Sequence, residues 1–236
     1  WGQNFLIDEN IINKIITTID PNKKDVILEI GPGHGALTKH LITSCDKLHA
    51  VEIDPLLCEK LKTYDKLIVY NDDILKWNHQ KRDYFNKIVG NVPYNISSQI
   101  IFKFLSSDNW DIMILMLQKE MAHRIISNKG SRDYGKISVM VQNLCTVSNM
   151  FDISRNVFHP KPKVDSSILM FKHKKKKINT EQFSSFIKKC FQQRRKKLKN
   201  NLKDAYSQGL LGKYTYLRPE HISPQEYLTL FNKIYF

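Results

Sequence analysis

The stretch with the most evident chemical potential is Asn91-Val92-Pro93-Tyr94, which lies between an apolar run and a helical pattern. The side-chain carbonyl of Asn91 and the main-chain carbonyl of Val92 or Pro93 are acceptors that could stabilise charge developing on an exocyclic base amine during methyl transfer. Proline holds the preceding residue extended, which fixes the second carbonyl. Tyr94 offers a ring face to an extruded base. The stretch therefore predicts a site for a nucleobase amine.

A purely structural interpretation of the same stretch is also open. A strand that ends and turns into a helix, with Ser97 or Ser98 as the N-cap, would use similar residue types. A four-residue match does not separate these interpretations, so the context in the rest of the chain has to decide.

A glycine-rich turn follows a short buried strand predicted at residues 26–30. Gly31, Gly33 and Gly35 let the main chain approach a ligand closely, and a helix predicted at residues 36–45 completes the opening of a nucleotide-binding β-α-β unit. A dehydrogenase would bind its dinucleotide with the same order of strand, glycine turn and helix. However, the G-x-G-x-G spacing differs from the dinucleotide G-x-G-x-x-G. With Glu29 before the turn, it is typical of an S-adenosylmethionine site.

Carboxylates follow the next two predicted strands, at the edge where an open α/β sheet binds its ligand. Glu52 lies twenty-one residues beyond Gly31, where a carboxylate can accept hydrogen bonds from two ribose hydroxyls. Asp73 is the candidate for the adenine amine, whereas Asp72 has the alternative interpretation of a solvated residue or helix cap. The fourth strand brings Asn91 to the same edge, so cofactor and base are expected in one crevice.

Composition narrows the class of partner. The chain has 236 residues and a net charge of +14, and a balance this basic points to a nucleic acid rather than a small metabolite. No apolar run is long enough to cross a bilayer, and no signal peptide is recognisable. We expect a soluble, cytoplasmic protein with no membrane partner. The scattered spacing of the cysteines implies no metal site and no disulfide; they are Cys45, Cys58, Cys145 and Cys190.

The positive charge is concentrated in one part of the sequence. Residues 161–199 contain fourteen Lys or Arg against two acids, with the densest runs at 174–177 and 194–197. A solvated surface is the ordinary interpretation of such runs. Asymmetry this strong beside a base-handling site favours contact with RNA phosphates.

The order of apolar segments predicts an α/β fold. A helix capped near Asp8, further strands at residues 112–117 and 167–171, and an apolar segment at 137–146 fit a Rossmann-like, mostly parallel seven-stranded sheet. Residues 178–236 show helical spacing. We therefore expect a cofactor-binding catalytic methyltransferase domain at 1–172 and a small, basic, RNA-binding helical domain at 173–236.

Motifs along nearly the whole chain resemble the bacterial small-subunit rRNA adenine N6-dimethyltransferases, the KsgA family. They are GQNFL at 2–6, EIGPGHGALT at 29–38, VEID at 51–54, NVPYNIS at 91–97, LQKEMAHR at 117–124 and FHPKPKVDSS at 158–167. Segments at 130–142 and 224–232 are more similar to this family than to the related methyltransferases of large-subunit rRNA. The resemblance implies dimethylation of two adjacent adenines in the 3′-terminal hairpin loop, late in ribosome assembly, by a monomer acting on the pre-30S particle.

The resemblance also assigns site residues. It implies cofactor contacts from Asn4, Leu6, Gly31, Gly33, Glu52, Asp73 and Asn91, and base contacts from Asn91, Pro93, Tyr94 and Phe158, with the rings of Phe158 and Tyr94 on opposite faces of the adenine. We expect direct methyl transfer without a strong general base. His34 and His159 are interpreted as structural residues.

Two other functions remain open from the sequence. One is an adenine methyltransferase that acts on large-subunit rRNA or DNA. The other is a non-catalytic ribosome-assembly or transcription factor that keeps the fold and binds nucleic acid.

Overall fold

The computed structural model describes residues 4–78, 84–176 and 178–236. Residues 1–3, which include the start of the GQNFL motif, and Lys177 of the basic run lie outside this part of the chain. The strands are β1 (Phe5–Leu6), β2 (Val26–Ile30), β3 (Lys47–Glu52), β4 (Leu67–Asn71), β5 (Phe85–Asn91), β6 (Trp110–Gln118), β7 (Cys145–Ile153), β8 (Phe158–His159) and β9 (Ser166–His173). The helices are α1 (Glu9–Ile19), α2 (Thr38–Leu41), α3 (Pro55–Leu61), α4 (Ser97–Leu105), α5 (Lys119–Ile126), α6 (Lys136–Leu144), α7 (Thr180–Cys190), α8 (Leu198–Asn201), α9 (Lys203–Ser207) and α10 (Pro224–Tyr235).

The chain divides into two compact units. The sheet unit comprises Trp1–Ala122 and Ser148–His173, and the helical unit comprises His123–Val147 and Lys174–Phe236. The C-terminal division falls next to the expected one at 172/173, but the segment that contains α6 groups with the helical unit. Within that unit Asn143 on α6 donates a hydrogen bond of 2.8 Å to the carbonyl of Pro224 on α10.

Seven strands form one sheet in the order β4-β3-β2-β5-β6-β9-β7. The pairs β3/β4, β2/β3, β2/β5 and β5/β6 are parallel, whereas β6/β9 is antiparallel. The predicted seven-stranded, mostly parallel sheet is therefore confirmed. Parallel strands end at a common edge, so the residues that follow β2, β3, β4 and β5 meet there.

Helix α1 covers the sheet through one apolar stripe. Asp8 caps its N-terminus by accepting hydrogen bonds from the amides of Asn10 and Ile11, which confirms the predicted start. Ile12, Ile15 and Ile19 are each only 2% exposed. Burying side chains of this size contributes about 1.5–3 kcal/mol each to folding.

Helix α2 is shorter than the helix predicted at residues 36–45 because local side chains compete for its main chain. The hydroxyls of Thr43 and Ser44 both donate to the His40 carbonyl, each over 3.0 Å. Such side-chain bonds offer the backbone an alternative to further helix. Residues 42–45 are accordingly turns and a bend.

The helical unit is built around aromatic rings rather than a sheet. Phe183 and Phe186 on α7 pack against Phe231 on α10 with ring centroids 5.2 and 5.6 Å apart. Buried Tyr134 and Tyr227 donate their hydroxyls to main-chain carbonyls over 2.8 Å, so neither polar group is left unsatisfied. A small domain gains much of its core from such large rings.

Candidate cofactor and base site

A cleft opens at the carboxyl edge of the sheet, within the sheet unit. It encloses about 1070 Å³ of empty space, part of which is continuous with solvent. Nine of the ten residues predicted for the site line this cleft: Asn4, Leu6, Gly31, Gly33, Glu52, Asp73, Asn91, Pro93 and Tyr94. The parallel strands β2, β3 and β5 bring together Gly31, Glu52 and Asn91, although Gly31 and Asn91 are 60 positions apart in the sequence.

The glycine turn is tied to the carboxylate of Glu52. The amide of Gly33 donates to Glu52 Oε2 and the amide of Asp54 donates to Oε1, both over 3.0 Å. Gly31 and Gly33 have φ angles of 62° and 59°, which side chains rarely adopt. A Cβ on Gly33 would also lie 3.0 Å from the ring of Phe5. The turn therefore presents bare main chain to the cleft, with the carboxylate fixed beside it.

Asn91 is held in one orientation by the N-terminal segment. Its Nδ2 donates a hydrogen bond of 2.8 Å to the main-chain carbonyl of Asn4. Because the amide nitrogen is engaged, the carbonyl oxygen Oδ1 is presented as the free acceptor of the side chain. Gly90 permits this placement, since a Cβ there would lie 2.9 Å from the Ile30 carbonyl oxygen. Gly90 was missed by the sequence analysis, although a glycine inside a strand signals a close approach.

Tyr94 is anchored at its hydroxyl. Its Oη lies 2.7 Å from the Oγ of Ser166 on β9, a distance at which either group can donate. Burial raises the pKa of Tyr94, so the phenol is neutral at physiological pH. Ser97 donates to the Tyr94 carbonyl over 3.0 Å. Helix α4 has Ile96 as its N-cap and no side-chain cap. The turn from a strand into a helix is therefore observed, between β5 and α4, whereas the N-cap predicted at Ser97 or Ser98 is wrong.

Asp72 and Asp73 both line the cleft. Asp73 is half-buried, and its Oδ1 accepts a hydrogen bond of 2.9 Å from the amide of Leu75. Asp72 is exposed, and its Oδ1 accepts from the amide of Asp73 over 2.7 Å. Each carboxylate therefore has a main-chain partner, and both face the same cleft.

Phe158 is the predicted site residue that does not line the cleft. Strand β8 pairs antiparallel with β1, which places Phe158 opposite Leu6. Leu6 lines the cleft, whereas Phe158 is 3% exposed and belongs to the hydrophobic core beneath it. The β1/β8 pair thus joins the N-terminal segment to the FHPKPKVDSS motif.

The cleft also contains residues to which the sequence analysis assigned no ligand contact. Phe5 lies with its ring centroid 4.3 Å from that of His34, and both line the cleft. Glu29 is 2% exposed and accepts a hydrogen bond of 2.7 Å from Thr38 Oγ1. Burial, opposed by this bond, raises the pKa of Glu29 to about 7. Phe5 stood between two predicted contacts in sequence, so its position could have been inferred from them.

The residues present fit S-adenosylmethionine. A fixed carboxylate suits a ribose diol, a glycine turn without side chains lets a ligand approach the main chain closely, and Val51, Ile53 and Ile74 provide apolar walls for an adenine ring. Within the described ranges, no group of three or more His, Cys, Asp or Glu could hold a metal ion. Nor does any described helix have the length and apolar character needed to cross a membrane.

The two units differ in charge. The helical unit contains 19 Lys or Arg and 5 Asp or Glu, a net charge of +14, whereas the sheet unit contains 18 of each and is neutral. The whole net charge of the chain therefore belongs to the helical unit. A local excess of this size is the electrostatic signature of a surface that binds a polyanion.

Known proteins resemble this chain along its whole length. Residues 1–233 match the family model described as ribosomal RNA adenine dimethylase. Ribosomal RNA small subunit methyltransferase A of Malacoplasma penetrans is 41% identical over 97% of this chain and 89% of its own. The enzyme of that name from Neisseria gonorrhoeae is 38% identical over 98% of this chain and 94% of its own.

Solved structures agree with the sequence comparison. A dimethyladenosine transferase from Plasmodium falciparum superposes with a TM-score of 0.89 at 27% identity, covering 97% of this chain and 98% of its own. The 23S rRNA methyltransferase ErmE superposes with a TM-score of 0.69 at 28% identity, covering 98% and 99%. These matches confirm the predicted fold. They also confirm the predicted activity, which is S-adenosylmethionine-dependent dimethylation of adenine in ribosomal RNA. The chain belongs to the ribosomal RNA adenine dimethylase family.

Proposed function

We propose that this chain dimethylates N6 of two adjacent adenines in the 3′-terminal hairpin loop of small-subunit rRNA, on the pre-30S particle. The observation that carries the proposal is the orientation of Asn91, whose Nδ2 is engaged by the Asn4 carbonyl over 2.8 Å. Its Oδ1 is thereby available to a base amine beside Tyr94. The choice of rRNA position rests on the motif resemblance and on relatives named small subunit methyltransferase A.

The proposed cofactor contacts follow the lining of the cleft. Glu52 accepts hydrogen bonds from the ribose hydroxyls, while Gly31 and Gly33 lie along the methionine part. Asp73 accepts from the adenine amine, a role that Asp72 is placed to share. Asn4 and Leu6 close the cleft from the N-terminal segment. When bound, S-adenosylmethionine supplies a methyl group already activated by its sulfonium.

The chain itself supplies acceptors and positioning. An exocyclic amine donates its lone pair to the ring, so it becomes nucleophilic only when its hydrogens are drawn away from the ring plane. Asn91 Oδ1 and a main-chain carbonyl at Val92 or Pro93 accept hydrogen bonds from the amine and stabilise the positive charge that develops on its nitrogen. The methylated nitrogen is cationic and acidic, so it releases its proton to solvent water and needs no strong base. Positioning of this kind accounts for much of the rate in such transfers.

Two rings are proposed to sandwich the base. Tyr94 supplies one face, with its hydroxyl fixed at Ser166. Phe158 supplies the other, and its 3% exposure means that its ring has to become accessible as the base enters. A Phe158→Leu variant should therefore weaken base binding more than cofactor binding, which separate titrations would measure.

RNA binding is proposed for the helical unit and its basic run. Its net charge of +14 favours phosphate contacts, and RNA of this kind is recognised by loops and backbone shape. The relatives' names support small-subunit rRNA as the target. We also propose that the protein acts as a monomer in the cytoplasm. The expected domains at 1–172 and 173–236 keep their proposed roles in catalysis and RNA binding.

Methyl transfer from labelled S-adenosylmethionine to small-subunit particles that lack the modification tests the proposal. Digestion and mass analysis should find N6,N6-dimethyladenosine confined to the 3′-terminal hairpin. Label on large-subunit rRNA or DNA, with none on these particles, would reassign the substrate. No transfer to any of these substrates would contradict the proposed function.

A further inference from the structure

Among the exposed aromatic rings of the helical unit, two tyrosines lie beside lysine side chains. Tyr216 is 63% exposed, and Tyr206 on α9 is 43% exposed. Other large rings of this unit, such as Phe183 and Tyr227, are fully buried. Exposure of an aromatic ring to water is unfavourable. Two neighbouring exposed rings therefore mark a candidate binding surface.

Two lysines connect these rings. The Nζ of Lys199 lies 4.8 Å from the ring centroid of Tyr216 and 5.4 Å from that of Tyr206. The Nζ of Lys197 lies 5.3 Å from the Tyr216 centroid. Lys197, Lys199, Tyr206 and Tyr216 therefore form one continuous group, which we call the Tyr-Lys cluster.

No carboxylate among the described residues neutralises the two lysines. The ion pairs of this unit instead join Glu220 to Arg194 and Glu226 to Lys129 and Lys213. Contacts between lysine and an exposed ring are weak. Lys197 and Lys199 consequently keep their charge available to an anion.

The cluster is held by ordered main chain. The amide of Leu198 donates to the Leu217 carbonyl over 2.7 Å, and the amide of Lys199 donates to the Thr215 carbonyl over 3.3 Å. Leu198 is fully buried and Tyr214 is 9% exposed, so both segments are anchored in the core of the unit. The exposed rings thus project from a fixed support, which lowers the entropic cost of binding a ligand.

We propose that the Tyr-Lys cluster is a stacking platform for unpaired RNA bases, with Tyr206 and Tyr216 under the bases and Lys197 and Lys199 on the adjoining phosphates. Rings interleaved with cations are the arrangement by which single strands are bound without reading a sequence. The +14 charge of the unit supplies the complementary field. The inference rests on the proposed function for the identity of the ligand as RNA, and adds where and how unpaired nucleotides bind.

Binding of the full chain to a single-stranded RNA oligonucleotide and to a duplex of equal length tests this inference. The Tyr206→Leu/Tyr216→Leu variant should bind the single strand about 5- to 150-fold more weakly for each base that loses its stacking partner. Its dependence on salt should stay unchanged because no charge is lost. Duplex affinity should change little.

Matched variants separate stacking from charge and from folding. Tyr206→Trp/Tyr216→Trp should restore single-strand affinity, because tryptophan offers a larger stacking face. Lys199→Ala should lower the slope of log K against log salt by about one. Tyr235→Leu is the control, since Tyr235 is 37% exposed in the same unit but lies against Phe186 and Phe231.

Three results would overturn the inference: wild-type single-strand affinity in the double leucine variant, an equal loss for duplex, or no restoration by tryptophan. Circular dichroism of the leucine variant must match the wild type, and if it does not, the tryptophan variant and Lys199→Ala decide the question. Methyl transfer to particles is measured on the same wild-type preparation. Its absence would contradict the proposed function, whereas normal transfer with unchanged single-strand binding would contradict the cluster alone.

Discussion

In the sheet unit, 18 basic residues balance 18 acidic ones, whereas the helical unit has 19 against 5. Two carboxylates of the cleft in the sheet unit are buried and hydrogen-bonded: Glu29 and Glu52 are each 2% exposed. The cations of the helical unit are mostly exposed. Lys189, Arg195 and Lys196, for example, have no ion-pair partner among the described residues.

The contrast teaches how the two tasks are built. Methyl transfer depends on a few groups fixed at the reacting atoms, so local geometry matters and net charge does not. Affinity for a large polyanion depends on many phosphate contacts, so summed charge matters and each contact is replaceable. Mutations in the two units should therefore differ in both size and kind of effect.

The largest effect is expected at Asn91. Asn91→Ala removes Oδ1, and loss of one such electrostatic group lowers the rate of chemistry by about 10²–10³-fold. Affinity for RNA should remain, because the helical unit is unchanged. Single-turnover transfer to small-subunit particles measures the rate, and titration calorimetry with the cofactor checks that the cleft is intact. Transfer within threefold of wild type would show that the amide is not needed.

Opposite pH responses are expected of one glutamate in each unit. Burial raises the pKa of Glu29 from 4.5 to about 7, so between these values the folded chain retains a proton that the unfolded chain has released. This contribution favours folding at low pH and is lost as pH rises through about 7. Glu29→Gln has no proton to lose. The free energy of unfolding of Glu29→Gln, relative to that of the wild type, should therefore be higher at pH 8.5 than at pH 5, by at most about 3 kcal/mol.

Glu226 in the helical unit is the matched comparison. The Ser223 amide and hydroxyl and the Lys129 ammonium lower its pKa to about 2. Its contribution is present at neutral pH and is lost as pH falls from about 4.5 to about 2. Glu226→Gln should therefore destabilise the chain at pH 7. Urea unfolding at several pH values measures both variants. The contrast would be refuted if the stability of both variants, relative to the wild type, changed in the same direction as pH rises.

The parts of this site that could be predicted are those in which the contacting residues lie close together in the sequence. The glycine turn, strand β2 and Glu52 were predictable because a short motif and a strand pattern specify them locally. The bond from Asn91 to the Asn4 carbonyl joins residues 87 positions apart, and no local pattern encodes it. The pairing of β1 with β8 joins residues that are still farther apart in the sequence, which is why the burial of Phe158 was not foreseen.

Surface contacts show the same limit. The ion pair of Lys119 on α5 is an example: its Nζ lies 2.6 Å from a carboxylate oxygen of Asp152 on β7. Only the fold brings this helix and this strand together. The concentration of charge was visible in sequence, whereas the assignment of residues 123–147 to the basic unit needed the packing of α6 on α7 and α10.

A smaller loss, confined to the cofactor, is expected at Glu52. Glu52→Gln removes a charged acceptor, and hydrogen bonds to charged groups contribute about 1.5–3 kcal/mol, so cofactor affinity should fall by about 10- to 150-fold. RNA affinity should stay at the wild-type value. Glu59→Gln on α3 is the control, because Glu59 pairs with Lys62 on the surface. Calorimetry that gave equal cofactor affinities for both variants would remove Glu52 from the site.

The smallest effect is expected from one cation of the helical unit. Arg195→Ala should reduce RNA affinity by only a few-fold at physiological salt and lower the salt slope by at most about one. Cofactor affinity should not change. Filter binding across a range of salt concentrations measures the slope, and an effect on methyl transfer at saturating RNA would show that Arg195 does more than bind phosphate.

The division of labour between the units is tested most directly by comparing Asn91→Ala with a triple variant, Lys189→Ala/Arg195→Ala/Lys196→Ala. Particle affinity, its salt slope and single-turnover transfer at saturating particles are measured for both. We predict a crossed result: Asn91→Ala loses transfer but keeps affinity and slope, and the triple variant loses affinity, with a slope lower by up to about three, but keeps the saturated rate. Loss of the saturated rate in the triple variant, or of particle affinity in Asn91→Ala, would contradict the account.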